Sequence, residues 1–175
     1  MQAYGALAFN QAVAAKTEQT IEKEAEVAAE AEATILKAKA EAIDSYFKGK
    51  GMPLAGYGLK MATEAEKNGL DWRLIAAISV RESTGGKQDC IKVPNNAFGW
   101  GSCKIGFKTV DAAIETVARN LGGNNPKTAA HYDNKTTLGI LRAYNPPSIV
   151  PKYGEQVITI MNTIGDENLG AKIEA

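Results

Sequence analysis

The side chain most able to do chemistry is Glu82, in the stretch ISVRESTGG, where an apolar run gives way to two glycines. Glu82 follows Leu74 and Ile78 at four-residue intervals, so in a helix it continues their apolar face. In the last turn, the helix dipole and partial burial both favour a protonated carboxyl group. A protonated carboxyl group is the general acid that cleavage of a glycosidic bond requires. The alternative is that Glu82 is a surface residue or the partner of a nearby base such as Arg81 or Lys87.

The segment NNAFGWG, residues 95–101, has the side chains of a saccharide cleft. The aromatic faces of Phe98 and Trp100 can stack on sugar rings, the amides of Asn95 and Asn96 can bond hydroxyl and N-acetyl groups, and glycine admits a close ligand. The alternative is that both aromatic residues form a hydrophobic plug under an irregular loop.

A third element is LRAYNPPSIVPKY, in which Tyr144 and Tyr153 flank a proline-stiffened turn. One of these tyrosines can face the cleft. Tyr153 begins an apolar stripe, so we expect it to be an ordinary core residue. His131 and Tyr132, in a polar loop, are expected to be solvated.

The chain has two cysteines, Cys90 and Cys103, and one histidine. This set lacks the pattern of a zinc site, so no metal is expected. A disulfide-closed loop is favoured over two free thiols, and it indicates an oxidising, extracytoplasmic environment. The opening residues lack the basic and apolar regions of a signal peptide, and a start trimmed of its leader would reconcile the two observations.

Composition excludes several classes of function. Twenty basic and twenty acidic residues cancel, so nothing directs the whole chain to nucleic acid. The sequence has no Gly-rich phosphate loop and no Gly-x-Ser-x-Gly motif, and no cofactor is expected.

The 175 residues divide by composition into three predicted parts. Residues 1–48 are an Ala/Glu/Lys-rich helical stalk, continuous from Ala12 to Phe47, whose thin apolar stripe leaves self-association open. Residues 49–166 form the main domain, and residues 167–175 a loose polar tail. Helices are predicted in the main domain over residues 54–68, from Asp71 to the end of the Glu82 helix, over 109–121, over 136–145 and from Tyr153 to Ile164. An irregular or β-like lobe lies between the second and third of these.

Four motifs, in this order along the chain, resemble the glucosaminidase branch of the lysozyme-like superfamily. They are SVRESTGG, NNAFGWG, FKTVDAAIETVARNL, and the Tyr-x-Pro turn followed by KYGEQVITIM. These are bacterial and phage enzymes that cut the glycan strands of peptidoglycan. The resemblance covers residues 51–164 and implies a mainly α, lysozyme-like domain with a small lobe. It implies that Glu82 is the catalytic acid, that Asn96 and Phe98 line the cleft, and that Tyr144 lies near the scissile bond.

The sequence departs from the family in having no second carboxylate at a recognisable position. Asp89 is the nearest candidate, with Asp111 and Asp133 behind it. Lytic transglycosylases also use one Glu, but their Gly-Ala-x-Gly-Leu-x-Gln stretch is missing, so hydrolysis ranks above transglycosylation. A non-catalytic protein that binds or assembles on peptidoglycan is the alternative from another class.

Overall fold

The computed structural model describes the backbone of residues 3–173 and the side chains of residues 18–171. Within this range the chain is mainly helical, as predicted, and contains no β-strand. The described helices are α1 (Ala3–Gly49), α2 (Gly58–Lys67), α3 (Leu74–Ser83), α4 (Val110–Leu121), α5 (Ala129–Tyr132), α6 (Thr137–Tyr144), α7 (Tyr153–Ile164) and α8 (Leu169–Ile173). Among the described residues, none of these helices has the length and apolar content needed to cross a membrane.

The chain divides into two compact units between Ile35 and Leu36. The described backbone of the first unit, residues 3–35, lies entirely in α1. Its side chains from residue 18 to residue 34 are exposed, which agrees with the thin apolar stripe of the sequence. The sequence predicted a domain boundary at residues 48 and 49, where α1 ends. The boundary between the two compact units lies instead inside α1.

The second unit begins with the last part of α1, and this part is a core helix. Ala40, Ile43 and Phe47 are buried, because spacings of three and four residues place them on one helical face. Ile43 and Phe47 join a hydrophobic core to which α2, α3, α4, α6 and α7 contribute. The predicted solvated stalk therefore does not extend to residue 48.

Helix α3 is the central element of the second unit. Its first five residues, from Leu74 to Ile78, are fully buried, and α3 packs against α2, α4 and α7. Thr109, where the sequence predicts the start of this helix, caps α4: its Oγ1 accepts a hydrogen bond from the Ala112 N–H at 3.1 Å. A helix buried on several sides gives its C-terminal residues a fixed position.

Three local expectations need correction. The sequence also favours Asp71 as the cap of the Glu82 helix, but α3 begins at Leu74; Asp71 Oδ1 accepts from the Arg73 N–H at 2.9 Å, and its carboxylate pairs with the Arg73 guanidinium at 2.6 Å. The polar tail contains helix α8, where a loose segment was expected. Tyr132 ends the short helix α5 and is half-buried, where a solvated loop was expected.

Residues 84–109, between α3 and α4, form an irregular lobe of turns without a β-strand. Cys90 and Cys103 form a disulfide across it, with their Cα atoms 5.3 Å apart. The predicted disulfide and the irregular character of the lobe are therefore confirmed, while its β-like character is not.

Candidate active site

Glu82 is the next-to-last residue of α3 and lines an open cleft of about 600 Å³, called here the Glu82 cleft. The sequence placed Glu82 on the same face as Leu74 and Ile78; those two residues are fully buried, and Glu82 is half-buried. It forms no ion pair with another described residue. The two bases offered as surface partners are engaged elsewhere: Arg81 donates to the Gln156 side chain and Lys87 to a backbone carbonyl.

Tyr153 fixes the orientation of the Glu82 carboxyl group. The Tyr153 hydroxyl donates a hydrogen bond of 2.6 Å to Glu82 Oε1. Tyr153 is 2% exposed at the start of α7, and burial, followed by the nearby Glu82 charge, raises the pKa of its hydroxyl far above the usual value. The hydroxyl therefore stays a donor through the neutral pH range, and one carboxyl oxygen is held in place.

Gly99 lies against the other oxygen of the same carboxyl group. A Cβ atom at this position would stand 2.7 Å from Glu82 Oε2, and Gly99 has φ +63°, in the left-handed region that favours glycine. Two independent constraints thus require glycine here. They place Oε2 next to a backbone segment that lines the Glu82 cleft.

Three aromatic rings lie in a row beside Glu82. Trp100 and Tyr144 have ring centroids 5.9 Å apart and are tilted by 38°, and Tyr144 stacks on Tyr153 at 6.0 Å and 19°. The Tyr144 hydroxyl donates to the carbonyl oxygen of Phe98, which joins α6 to the lobe. Burial, with the Glu82 charge, raises the pKa of Tyr144, so it remains neutral.

The two walls of the Glu82 cleft come from distant parts of the chain. The lobe contributes residues 99–103, and the other wall contains Tyr132, Tyr144, Asn145, Pro146 and Ile149. Ile149 is 72% exposed at the rim. The cleft therefore combines one acid, aromatic surface, an amide and hydroxyl groups.

Three residues expected to bind substrate do not line the Glu82 cleft. Asn96 is fully buried: its amide nitrogen donates to the carbonyls of Trp100 and Ile105 at 2.9 and 2.8 Å. Its Oδ1 accepts from the N–H groups of Phe98 and Trp100 at 3.3 and 3.0 Å, so the amide is fully used in shaping the loop. Asn96 thus positions Trp100 instead of touching a ligand.

The other two are Phe98 and Asn95. Phe98 is fully buried in the hydrophobic core. For this residue the structure agrees with the alternative expectation, a hydrophobic plug under an irregular loop. Asn95 is half-buried, and its amide donates to the Phe107 carbonyl at 2.9 Å. Of the predicted set, the structure brings together Glu82, Trp100 and Tyr144.

Glu82 is the one carboxylate that lines this cleft within the described residues. Asp89 lies across the disulfide, in a neighbouring cavity. Asp111 is exposed in the first turn of α4, and Asp133 is exposed after α5. The search of the described residues also finds no group of three His, Cys, Asp or Glu side chains able to hold a metal ion.

Sequence reasoning missed two residues of the site. Tyr153 was assigned to the core, and it is buried, but its hydroxyl contacts Glu82. Tyr132 was assigned to solvent, but it lines the Glu82 cleft, and burial raises the pKa of its hydroxyl. The positions of these two tyrosines at the site depend on how α5 and α7 pack, and a local sequence pattern does not predict that packing.

No family model, curated protein or solved structure matches the chain. The class of protein must therefore be inferred from the chemistry of the Glu82 cleft itself. That chemistry is a single oriented carboxyl group beside a row of aromatic rings in an open groove.

Proposed function

We propose that the chain is a glycoside hydrolase with a lysozyme-like helical domain, which cleaves β-1,4 bonds in the glycan strands of peptidoglycan. The observation that carries this proposal is the Glu82 carboxyl group, held by Tyr153 within an aromatic-lined open cleft. A buried central helix with the acid at its C-terminal end, followed by an irregular lobe, supports the lysozyme-like fold.

In this proposal Glu82 is the general acid. Oε1 is occupied by the Tyr153 hydroxyl, which leaves Oε2, beside Gly99, to carry the proton. Transfer of that proton to the bridging oxygen makes the leaving sugar a neutral alcohol. Tyr153 contributes by orientation, because proton transfer is efficient only when the acid is within hydrogen-bond reach of the oxygen.

The aromatic surface and polar groups of the cleft suit a chain of amino sugars. Trp100 is half-exposed beside Glu82 and offers a ring face for stacking. Ser102 and Asn145 supply a hydroxyl and an amide for sugar hydroxyl and N-acetyl groups. An open groove, unlike a closed pocket, admits the middle of a polymer.

The single carboxylate defines how the second half of the reaction proceeds. Two-carboxylate glycosidases need a base or nucleophile within about 5–9.5 Å of the acid. Because Glu82 is the one carboxylate among the described residues that line the cleft, we assign the nucleophile to the substrate: the 2-acetamido carbonyl oxygen attacks the anomeric carbon as the bond to the leaving oxygen breaks. Water then opens the cyclic intermediate and gives a proton back to the Glu82 carboxylate, which restores the acid and leaves a free reducing end.

A second candidate activity is favoured by the same observation. A lytic transglycosylase also needs one acid, and the C6 hydroxyl of the muramic acid residue takes the place of water. Its product is an anhydro-sugar, one water lighter than the hydrolysis product. The non-catalytic alternative requires no acid and predicts binding without cleavage.

The three alternatives separate by mass spectrometry of fragments released from purified peptidoglycan, before and after borohydride reduction. Hydrolysis gives fragments that take up two hydrogens, and the reduced sugar identifies the bond that was cut. Fragments one water lighter and resistant to reduction would establish transglycosylation. Binding to peptidoglycan without any soluble product would contradict both enzymatic proposals.

A further inference from the structure

A second cavity of about 520 Å³ lies on the other side of the disulfide and is called here the disulfide cavity. Ser102 and Cys103 line both this cavity and the Glu82 cleft, so the segment that carries these two residues lies between them. A ligand in the Glu82 cleft with a side branch next to Ser102 can therefore reach the disulfide cavity. Its volume is in the range of sites for small ligands.

The disulfide cavity differs chemically from the Glu82 cleft. Its wall contains Lys92 and Lys104 but no aromatic residue, so it has no ring on which a sugar can stack. Both lysines are exposed, and neither ammonium group forms an ion pair or hydrogen bond with another described residue. Such unpaired cations are available for the carboxylates of a ligand.

Asp89 and Ile91 also line the disulfide cavity. Asp89 Oδ1 is buried without a hydrogen-bond partner in the described structure, and burial raises the pKa of this carboxyl group. Among the described contacts, Asp89 forms no ion pair with either lysine. Ile91, also in the cavity wall, is fully exposed and offers apolar surface to small aliphatic side chains.

We propose that the disulfide cavity binds the short acidic peptide carried by peptidoglycan strands, with Lys92 and Lys104 contacting its carboxylates and Ile91 its methyl groups. This inference rests on the proposed function, because the glycan must occupy the Glu82 cleft for its peptide branch to pass Ser102. It makes the enzyme selective for peptide-bearing over bare glycan. The two lysines strengthen binding of the peptide-bearing glycan and take no part in bond cleavage.

The test compares two soluble tetrasaccharides of alternating N-acetylglucosamine and N-acetylmuramic acid, one with its peptides and one stripped of them by an amidase. Dissociation constants are measured by calorimetry in the Glu82→Gln full-length chain, so that no turnover occurs. We expect the peptide-bearing ligand to bind about fivefold more tightly, as two exposed charge contacts allow. The double variant Lys92→Gln/Lys104→Gln should abolish this preference and leave binding of the stripped ligand unchanged.

The matched control is Lys23→Gln/Lys37→Gln, which removes the same charge from exposed positions of α1 and should preserve the preference. Equal binding of the two ligands by the parent chain would overturn this inference but leave the proposed function intact. A preference that survives the loss of Lys92 and Lys104, or disappears equally in the control, would also overturn it. Failure to bind either tetrasaccharide would overturn the proposed function and this inference together.

Discussion

Replacing Gly99 with alanine should disable the site without unfolding the protein. The added Cβ would lie 2.7 Å from Glu82 Oε2, where ordinary contacts begin at 3.4 Å, so the carboxyl group or the loop must move by about 0.7 Å. Because Tyr153 holds the opposite oxygen, the carboxyl group cannot move freely. A displacement approaching 1 Å in a catalytic group costs up to about 10²-fold in rate, so kcat should fall by about tenfold to a hundredfold.

The same substitution also has a backbone cost. An alanine in the left-handed region costs about 1–2 kcal/mol, which for a chain of this size lowers Tm by about 2–8 °C. Gly69→Ala is the matched control: Gly69 has φ +67°, and a Cβ there would meet nothing within 4 Å. It should lose similar stability and keep its activity.

The assay is the initial rate of fragment release from purified peptidoglycan, measured well below the Tm of every variant, with Tm from calorimetry. We expect the two variants to lose equal stability and Gly99→Ala alone to lose kcat. Wild-type kcat in Gly99→Ala would refute the placement of Oε2 as the reacting oxygen. Equal loss of activity in Gly69→Ala would show that backbone strain, and not the contact with Glu82, lowers the rate.

Three further predictions concern the groups around Glu82. Tyr153→Phe should lower kcat by about tenfold with little change in KM, since it removes one hydrogen bond to the acid; unchanged kcat in steady-state assays would contradict an orienting role. Asn96→Ala should lower the free energy of unfolding by about 2–4 kcal/mol in denaturant titrations, and Asn95→Ala, which removes a single bond, by about 1 kcal/mol. Burial raises the pKa of Tyr144 and Tyr153 above the ordinary 10.0, so their stabilising effect is complete below pH 10 and is lost as the pH rises further. We therefore expect the hydroxyls of Tyr144 and Tyr153 to ionise only as the protein unfolds, which a titration followed by the ultraviolet absorbance of phenolate would measure. Ionisation of either tyrosine in the folded protein near pH 10 would contradict their burial.

The inward position of Glu82 could be predicted from sequence because it depends on helical spacing. Leu74, Ile78 and Glu82 are four residues apart, and α3 keeps that register over its whole length. The cap of α4 at Thr109 was predictable for a similar reason, since capping involves atoms only three residues apart. Interactions set within one or two helical turns leave a clear pattern in the sequence.

The rest of the site depends on contacts between distant segments. The sequence shows that Asn96 and Phe98 share a loop with Trp100, but not that Asn96 bonds within the loop while Phe98 enters the core. The contact of Tyr153 with Glu82 spans 71 residues and follows from the packing of α7 on α3. An apolar stripe predicts that Tyr153 is buried, and only the fold shows what its hydroxyl meets.

The role of Glu82 as the acid that cleaves glycan is tested most directly by the rate at which Glu82→Gln releases soluble fragments from purified peptidoglycan. Glu41→Gln, the same change at an exposed position of α1, is the control. We expect the rate to fall by about 10²–10⁴-fold in Glu82→Gln and to stay unchanged in the control. A wild-type rate in Glu82→Gln, or no release by the wild-type chain, would contradict it.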